Sequence, residues 1–372
     1  MRKDTQFLYI YFLKPILFLF PADSVHTFFL RTGHTLGKYS FFKKIFKSLW
    51  AYEDKILEQN ICNLNFKNPI GLSAGFDYDG ELVEILPSIG FGFNTVGTVT
   101  YEPYGGNPAP MLARLPKSRA LLVNKGFKNS GIKNVLSGFA ENKSSTPRGV
   151  SIGSTNKPYA DFKEMLKDIE NGFKEAENFN NFGYYELNIS CPNLLNLQNL
   201  KEQLASPTGL KKVLDILAGL NLKRPVFIKM PLERSESEIK EILDVANGFP
   251  FISGLIFSNL AKDRTNTAFD QAEIQNAGKG NFSGKPVSEK SNALLRYVYK
   301  TYGKRFVLVG VGGVFTAEDA YEKIRLGASL IQMITGMVFM GPQQIGIINK
   351  ELAELLKRDS YRNIQEAIGT KT

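Results

Sequence analysis

Cysteine and histidine are scarce in this chain. Its 372 residues include two of each: Cys62 and Cys191, His26 and His34. Two cysteines are too few for a disulfide framework, and nothing resembles a cleaved secretory signal, so the reducing, cytosolic side is expected. The histidines both lie near the N-terminus, which argues against most histidine-rich metal sites and predicts no metal. Proton transfer in the body of the chain then falls to Cys, Lys, Asp, Glu or Tyr. A long hydrophobic run is also missing. "FLYIYFLKPILFLF" (7–20) has only 14 residues, interrupted by Lys14-Pro15, and a membrane-spanning helix needs about 20.

The charge that is present is unevenly placed. Residues 1–50 hold eight Lys/Arg against two Asp/Glu, about six of the net ten positive charges, together with 13 aromatics. A basic, aromatic-rich N-terminus points to a membrane surface and away from nucleic acid as partner. Pro21 to Ser24 supplies a cap for a helix beginning near Val25. In "YSFFKKIFKSLW", Phe41, Phe42, Ile45, Phe46, Leu49 and Trp50 follow helical spacing, with Lys43, Lys44 and Lys47 mainly off that face. Short amphipathic helices lying in the interface plane are predicted. A helical cap packed on the main domain, or a contact between two copies, is the alternative.

From Asn68 onward, strand-like runs alternate with helices. The strands are expected at 68–75, 93–100, 148–153, 184–190, 225–230, 254–259, 305–313 and 329–335. Ser235 with Glu238 makes a capping box, and Thr316 opens a helix that stops at Gly327. Continuous apolar strands between helices predict an α/β fold with a parallel sheet covered on both faces. Eight such units favour a closed (β/α)8 TIM barrel. An open doubly wound sheet fits less well, because the first strand–helix turn lacks the spaced-glycine dinucleotide fingerprint. Thr98, Asn188, Lys229, Asn259, Gly312-Gly313 and Thr335-Gly336 end these strands, so they should converge at one mouth. The glycines ending strands 7 and 8 suit a phosphate.

The motifs "NPIGLSAGFDYDGE", "GFGFNTVGTVTYEPYGGNPAPMLARL", "NKGFKNSG", "ELNISCPN", "SNLAKDR", "FSGKPV", "VGVGG" and "GASLIQMITG" occur in one order. Together they resemble the dihydroorotate dehydrogenases, specifically the membrane-associated, quinone-linked class. The resemblance implies oxidation of dihydroorotate to orotate by FMN, in pyrimidine biosynthesis, with ubiquinone or menaquinone as final acceptor. It implies a membrane-associating and quinone-tunnel segment over 1–55 and a catalytic FMN barrel over 56–372. FMN contacts would be Ala74, Gly75, Thr98, Asn188, Lys229, Ser258, Gly284, Gly313 and Thr335, with Gly312 and Gly336 beside them. Substrate contacts would be Asn124, Gly126, Phe127, Asn188, Asn193 and Asn259. His26 and Arg114 would lie on the quinone path. A peripheral monomer on the cytoplasmic face of the cell membrane is expected.

The chemistry of the residues agrees with these roles. Forming the substrate's ring double bond needs a base for the C5 proton and an acceptor for the C6 hydride. Cys191 is the natural base, its thiol ionising at modest cost from a reference pKa of about 8.5. Asparagines suit a planar ligand with alternating N–H and C=O edges, and Lys229 would stabilise an anionic reduced flavin. The plainer alternatives are a small buried hydrophobe for Cys191 and a salt-bridged barrel lysine for Lys229.

Several positions depart from the family's pattern. Its quinone-linked class usually has serine where Cys191 stands. Tyr78 replaces a lysine near flavin and substrate, Leu260 a threonine, Ser151 an asparagine and Ile334 a tyrosine. Lys125, beside Asn124, is the expected compensation for the lost lysine. Two other functions stay open on the sequence: a flavin barrel reductase acting on another pyrimidine, such as a tRNA dihydrouridine synthase, and an inactive paralogue.

Overall fold

The computed structural model describes residues 2–138, 146–197, 199–257 and 259–372. All eight expected strands form: β1 (Ile70–Leu72), β2 (Phe93–Val99), β3 (Arg148–Ile152), β4 (Tyr184–Asn188), β5 (Val226–Lys229), β6 (Ile252–Phe257), β7 (Val307–Val311) and β8 (Leu330–Met333). Each pairs in parallel with the next, and β8 closes on β1 with Ile331 opposite Ile70. The barrel is therefore complete, as the alternation of strand and helix predicts.

Side-chain size decides where the barrel is full. Gly71, Gly149 and Gly254 stand where a Cβ would fall 2.3, 2.2 and 2.4 Å from the rings of Phe93, Tyr184 and Phe227. Those rings join Phe66, Ile256, Val309 and Leu330 in one buried cluster. Phe66 belongs to the hairpin Gln59–Ile61/Leu64–Phe66 and packs edge-on against Phe93 at the start of β2. The Tyr184 hydroxyl meets Thr95 Oγ1 at 2.7 Å, and Gln332 Nε2 donates to the same oxygen at 2.9 Å. The lower barrel is thus solid, and ligand space is left only towards the C-terminal ends of the strands.

Local signals in the outer helices act as read. Ser235 and Glu238 form a reciprocal capping box on the helix Glu236–Asn247. Thr316 does the same with Asp319 on Ala317–Arg325, and Gly327 follows with φ +112°.

The N-terminal segment forms short helical pieces across Lys14-Pro15. α1 (Arg2–Leu8) runs through a π-turn (Tyr9–Leu13) into α2 (Lys14–Phe18). The wider turn, with Lys14 N–H donating to Tyr9 O, absorbs a proline that has no N–H and would crowd the carbonyl four residues back. α3 (Ala22–Gly37) and α4 (Ser40–Leu49) follow. Among the described residues, no helix is long and apolar enough to cross a membrane.

These helices face two ways. Tyr9 OH donates to Val338 O at 2.7 Å, Phe18 packs edge-on against Phe339, and Phe46 stacks on Trp50. Gly346, in the helix Gln344–Arg358, is needed at the seam, because a Cβ there would strike Trp50 O. Lys43 pairs with Glu84 at 3.1 Å and Lys47 with Glu53 at 2.9 Å, so part of the basic face serves packing. Outwards, every exposed large apolar side chain among the described residues except Tyr101 and Leu195 falls between Phe7 and Phe41, with Leu19 83% exposed. Docked cap and apolar outer face coexist.

Candidate active site

The strand ends, a small antiparallel sheet (Leu112–Leu115, Ala120–Val123 and Asn281–Gly284) and the N-terminal helices enclose one cavity. Its polar end lies in the barrel mouth, lined by Ala74, Gly75, Thr98, Asn188, Cys191, Lys229, Asn259, Gly312 and Gly313, with Gly284, Thr335 and Gly336 beside them. Lys125, Gly126, Phe127 and Asn193 line it too, and the other end runs between His26, Arg114, Leu17, Phe18, Phe29 and Leu36. One described residue of the predicted set is not brought in. Asn124 is buried outside the lining, its Oδ1 accepting from Asn107 Nδ2 at 2.9 Å. Ser258 lies outside the described residues.

Hydrogen bonds fix the polar end. Asn188, the last residue of β4, donates from Nδ2 to Thr98 Oγ1 at 2.9 Å and accepts from Asn259 at 3.4 Å. Thr98 Oγ1 also meets Ser151 Oγ at 2.8 Å, so the serine holds the threonine from beneath. Ser190 Oγ donates to Lys229 O and accepts from Asn259, fastening the segment that carries Cys191. Asn193 donates to Val123 O at 3.0 Å and accepts from Asn281 at 2.5 Å.

Lys229 has the salt bridge of the plainer reading and also lines the cavity, its Nζ 3.1 Å from Glu186 Oε1 and 3.5 Å from Ser73 Oγ. Cys191 differs from expectation. The surface it keeps opens into the cavity, yet the thiol is surrounded by protein, and burial pushes its pKa up to about 11. An Asn193 backbone N–H and the Lys229 ammonium pull the other way without overcoming that. The thiol is the resting form at neutral pH.

Around Tyr78 the side chains of His26, Lys125 and Asp23 gather. Tyr78 is buried, its ring edge-on to His26 at 5.4 Å, and the Lys125 ammonium lies 5.6 Å from its centroid. Lys125 Nζ reaches Asp23 at 2.6 Å, and Asp23 also accepts the backbone N–H groups of Met111 and Leu112. Burial holds Lys125 below its usual pKa even with Asp23 beside it. Burial, then the Lys125 charge, drives His26 down to about 4, so its ring is neutral. His26 Nε2 stands 2.9 Å from Phe76 O, an acceptor, which places the proton on Nε2. Arg114 donates to Phe20 O at 2.8 Å and lies over the Phe18 ring.

Two important residues escaped the sequence reading. Asn107, 3% exposed, donates to Asn124 Oδ1 and Asn193 O and accepts from Asn156 and the Tyr104 hydroxyl. It joins the 124–127 segment to the Cys191 loop, and no local pattern in "YGGNPAP" announces that. Glu186 is fully buried under Lys229. Strand alternation was a usable signal here, since Glu186 and Asn188 share the inward face.

A flavin fits this mouth. Gly75 has φ +110°, and a Cβ there would have only Ile334 within reach, at 3.8 Å, leaving that wall open to a flat ring system. Gly312, Gly313 and Gly336 present backbone in place of side chains along the wall ending β7 and β8, the surface an anionic phosphate takes. Among the described residues, no cluster able to hold a metal ion is present.

Fold and cavity define a (β/α)8 enzyme with a polar mouth for a planar ligand, continuous with an apolar channel under surface helices. Sequence and structure comparisons narrow this class. The model of the dihydroorotate dehydrogenase family matches residues 56–356. The dihydroorotate dehydrogenase (quinone) of Trichodesmium erythraeum is 35% identical over 87% of this chain and 85% of its own. That of Nocardia farcinica is 30% identical over 96% of both. The crystal structure of DHODH in complex with ferulenol from Eimeria tenella superposes with a TM-score of 0.81 at 26% identity, covering 94% of this chain and 95% of that one. The chain belongs to the dihydroorotate dehydrogenase family, a flavin-dependent family, and its relatives place it in the quinone-linked class.

Proposed function

We propose that this protein oxidises dihydroorotate to orotate in pyrimidine biosynthesis and delivers the electrons to a membrane quinone. The observation that carries this reading is the single cavity joining Cys191, Asn188, Asn259 and Lys229 to an apolar channel walled by α3 and Phe18. Gly75, Thr98, Asn188, Lys229, Gly284, Gly312, Gly313, Thr335 and Gly336 would hold FMN, which when bound would supply a two-electron acceptor for the C6 hydride and a donor to the quinone. Cys191, as thiolate, takes the C5 proton, so two electrons and two protons leave the substrate as its ring double bond forms. Asn188, Asn193 and Asn259 orient the ring through amide edges that both donate and accept. Gly126 and Phe127 close the substrate side, with Asn124 supporting them through Asn107. Lys125 answers the substrate carboxylate, taking the part that Tyr78 cannot.

His26 and Arg114 line the quinone path. The quinone is ubiquinone or menaquinone, entering through residues 1–55 while 56–372 carries the chemistry. The exposed apolar side chains between Phe7 and Phe41 and the basic charge of that segment support binding to anionic lipid. On this reading the protein is a peripheral monomer on the cytoplasmic face of the cell membrane. The direct test is anaerobic mixing of flavin-loaded protein with dihydroorotate. Bleaching of the flavin's visible band is expected, and an unbleached spectrum would overturn the assignment.

A further inference from the structure

Beneath the cavity floor lies a carboxylate that the reaction as described does not use. Glu186 is fully buried, two residues before Asn188 on the inward face of β4. Its Oε1 accepts from Ser151 Oγ at 2.8 Å and from Lys229 Nζ at 3.1 Å, and its Oε2 has no hydrogen-bond partner among the described residues. Glu186 does not line the cavity, whereas Lys229 does. The geometry points to Glu186 as the counter-charge of Lys229, setting the electron affinity of a flavin bound in the mouth that Lys229 lines.

The argument is electrostatic. A lone ammonium on the floor would favour the reduced flavin, which carries more negative charge. A carboxylate at 3.1 Å from that ammonium cancels much of its field, because charge interactions in a buried site are far less screened than in water. The flavin then faces a dipole and not a bare positive charge. Its reduced form is held less tightly, which favours handing two electrons on to the quinone after two have arrived from substrate. Glu186 enters neither transfer; it shifts the balance between them. Ser151 is neutral, so it positions the carboxylate without altering the net charge. Burial enforces the pairing, since an isolated buried charge is strongly destabilising.

This inference rests on the flavin reading above, and its test separates the two. Glu186→Gln keeps size and an amide oxygen for Ser151 and Lys229. In a spectroelectrochemical titration of the full-length holoprotein, the variant should favour reduced flavin at least tenfold, a rise of about 30 mV for a two-electron couple. Stopped-flow reoxidation by a short-chain quinone should slow in step. An unchanged midpoint potential overturns the inference while leaving the flavin assignment intact; a wild-type protein that holds no flavin overturns the assignment itself. Should Glu186→Gln not fold, thermal unfolding supplies the second arm. Lys229→Met strands the carboxylate and should lower Tm, and adding Glu186→Gln should restore it. Equal Tm for the single and double variants overturns the pairing.

Discussion

Cys191 offers the sharpest quantitative prediction, because the structure makes it a poor base at rest. With a thiol pKa of about 11, only about one molecule in ten thousand carries the thiolate at pH 7. If the thiolate takes the C5 proton, flavin reduction at limiting dihydroorotate should rise about tenfold per pH unit between pH 6 and 9. That is about a thousandfold in all, with no plateau near the reference value of 8.5. Cys191→Ala should keep the flavin spectrum, lose the pH dependence and react about 100 to 10,000 times more slowly at pH 9. Stopped-flow pH jumps are the appropriate assay, for a reason of sign. The folded thiol titrates above the unfolded value of 9.0, so the native state binds the proton more tightly. Stability is intact below pH 9 and falls as the pH climbs towards 11. Short exposure separates faster chemistry from alkaline unfolding. A rate that levels off at pH 8 to 9, or an alanine variant with near-native speed, would refute the role.

Lys125→Met should raise KM for dihydroorotate about 10- to 150-fold, the equivalent of a charge-assisted hydrogen bond of about 1.5 to 3 kcal/mol. Asp23→Asn, by freeing that ammonium, should lower KM; steady-state kinetics showing neither change would remove Lys125 from substrate binding. Asn107→Ala strands buried partners in two loops at a cost of about 1 to 3 kcal/mol, so kcat/KM should drop while flavin content, read from the absorbance ratio, stays normal. Gly71→Ala drives a methyl into the Phe93 ring and should destabilise by about 1 to 3 kcal/mol, seen as a lower Tm. Leu19→Glu with Phe20→Glu should abolish co-sedimentation with anionic vesicles without changing flavin reduction, and undiminished sedimentation would reject that face as the membrane contact.

The barrel was legible because its signals are local and repeated. Each strand is a short apolar run bounded by turn residues, and Ser235 and Thr316 start their helices where their side chains cap them. The polar mouth followed from topology, since strand ends in a barrel must converge. What stayed hidden depends on tertiary neighbours. The cavity's wall at Lys125 is set by Asp23, about a hundred residues earlier on another element, and Asn107 matters only because three loops meet around it. The π-turn ahead of Pro15 has no signature in the sequence around it. The raised thiol of Cys191 arises from burial that no sequence pattern around "NISCPN" reports.

The seam between the two ends of the chain bears on the order of assembly. Arg2 bonds to the carbonyls of Trp50 and Ala51, Gln6 reaches Gln344, and Tyr9 reaches Val338. A ribosome delivers the N-terminal helices first and their docking surface last, since Val338 and Gln344 emerge only after every barrel strand has been made. For most of synthesis those apolar helices have no protein partner to cover them. The cap, and with it one wall of the cavity, can therefore close only after the barrel has been made.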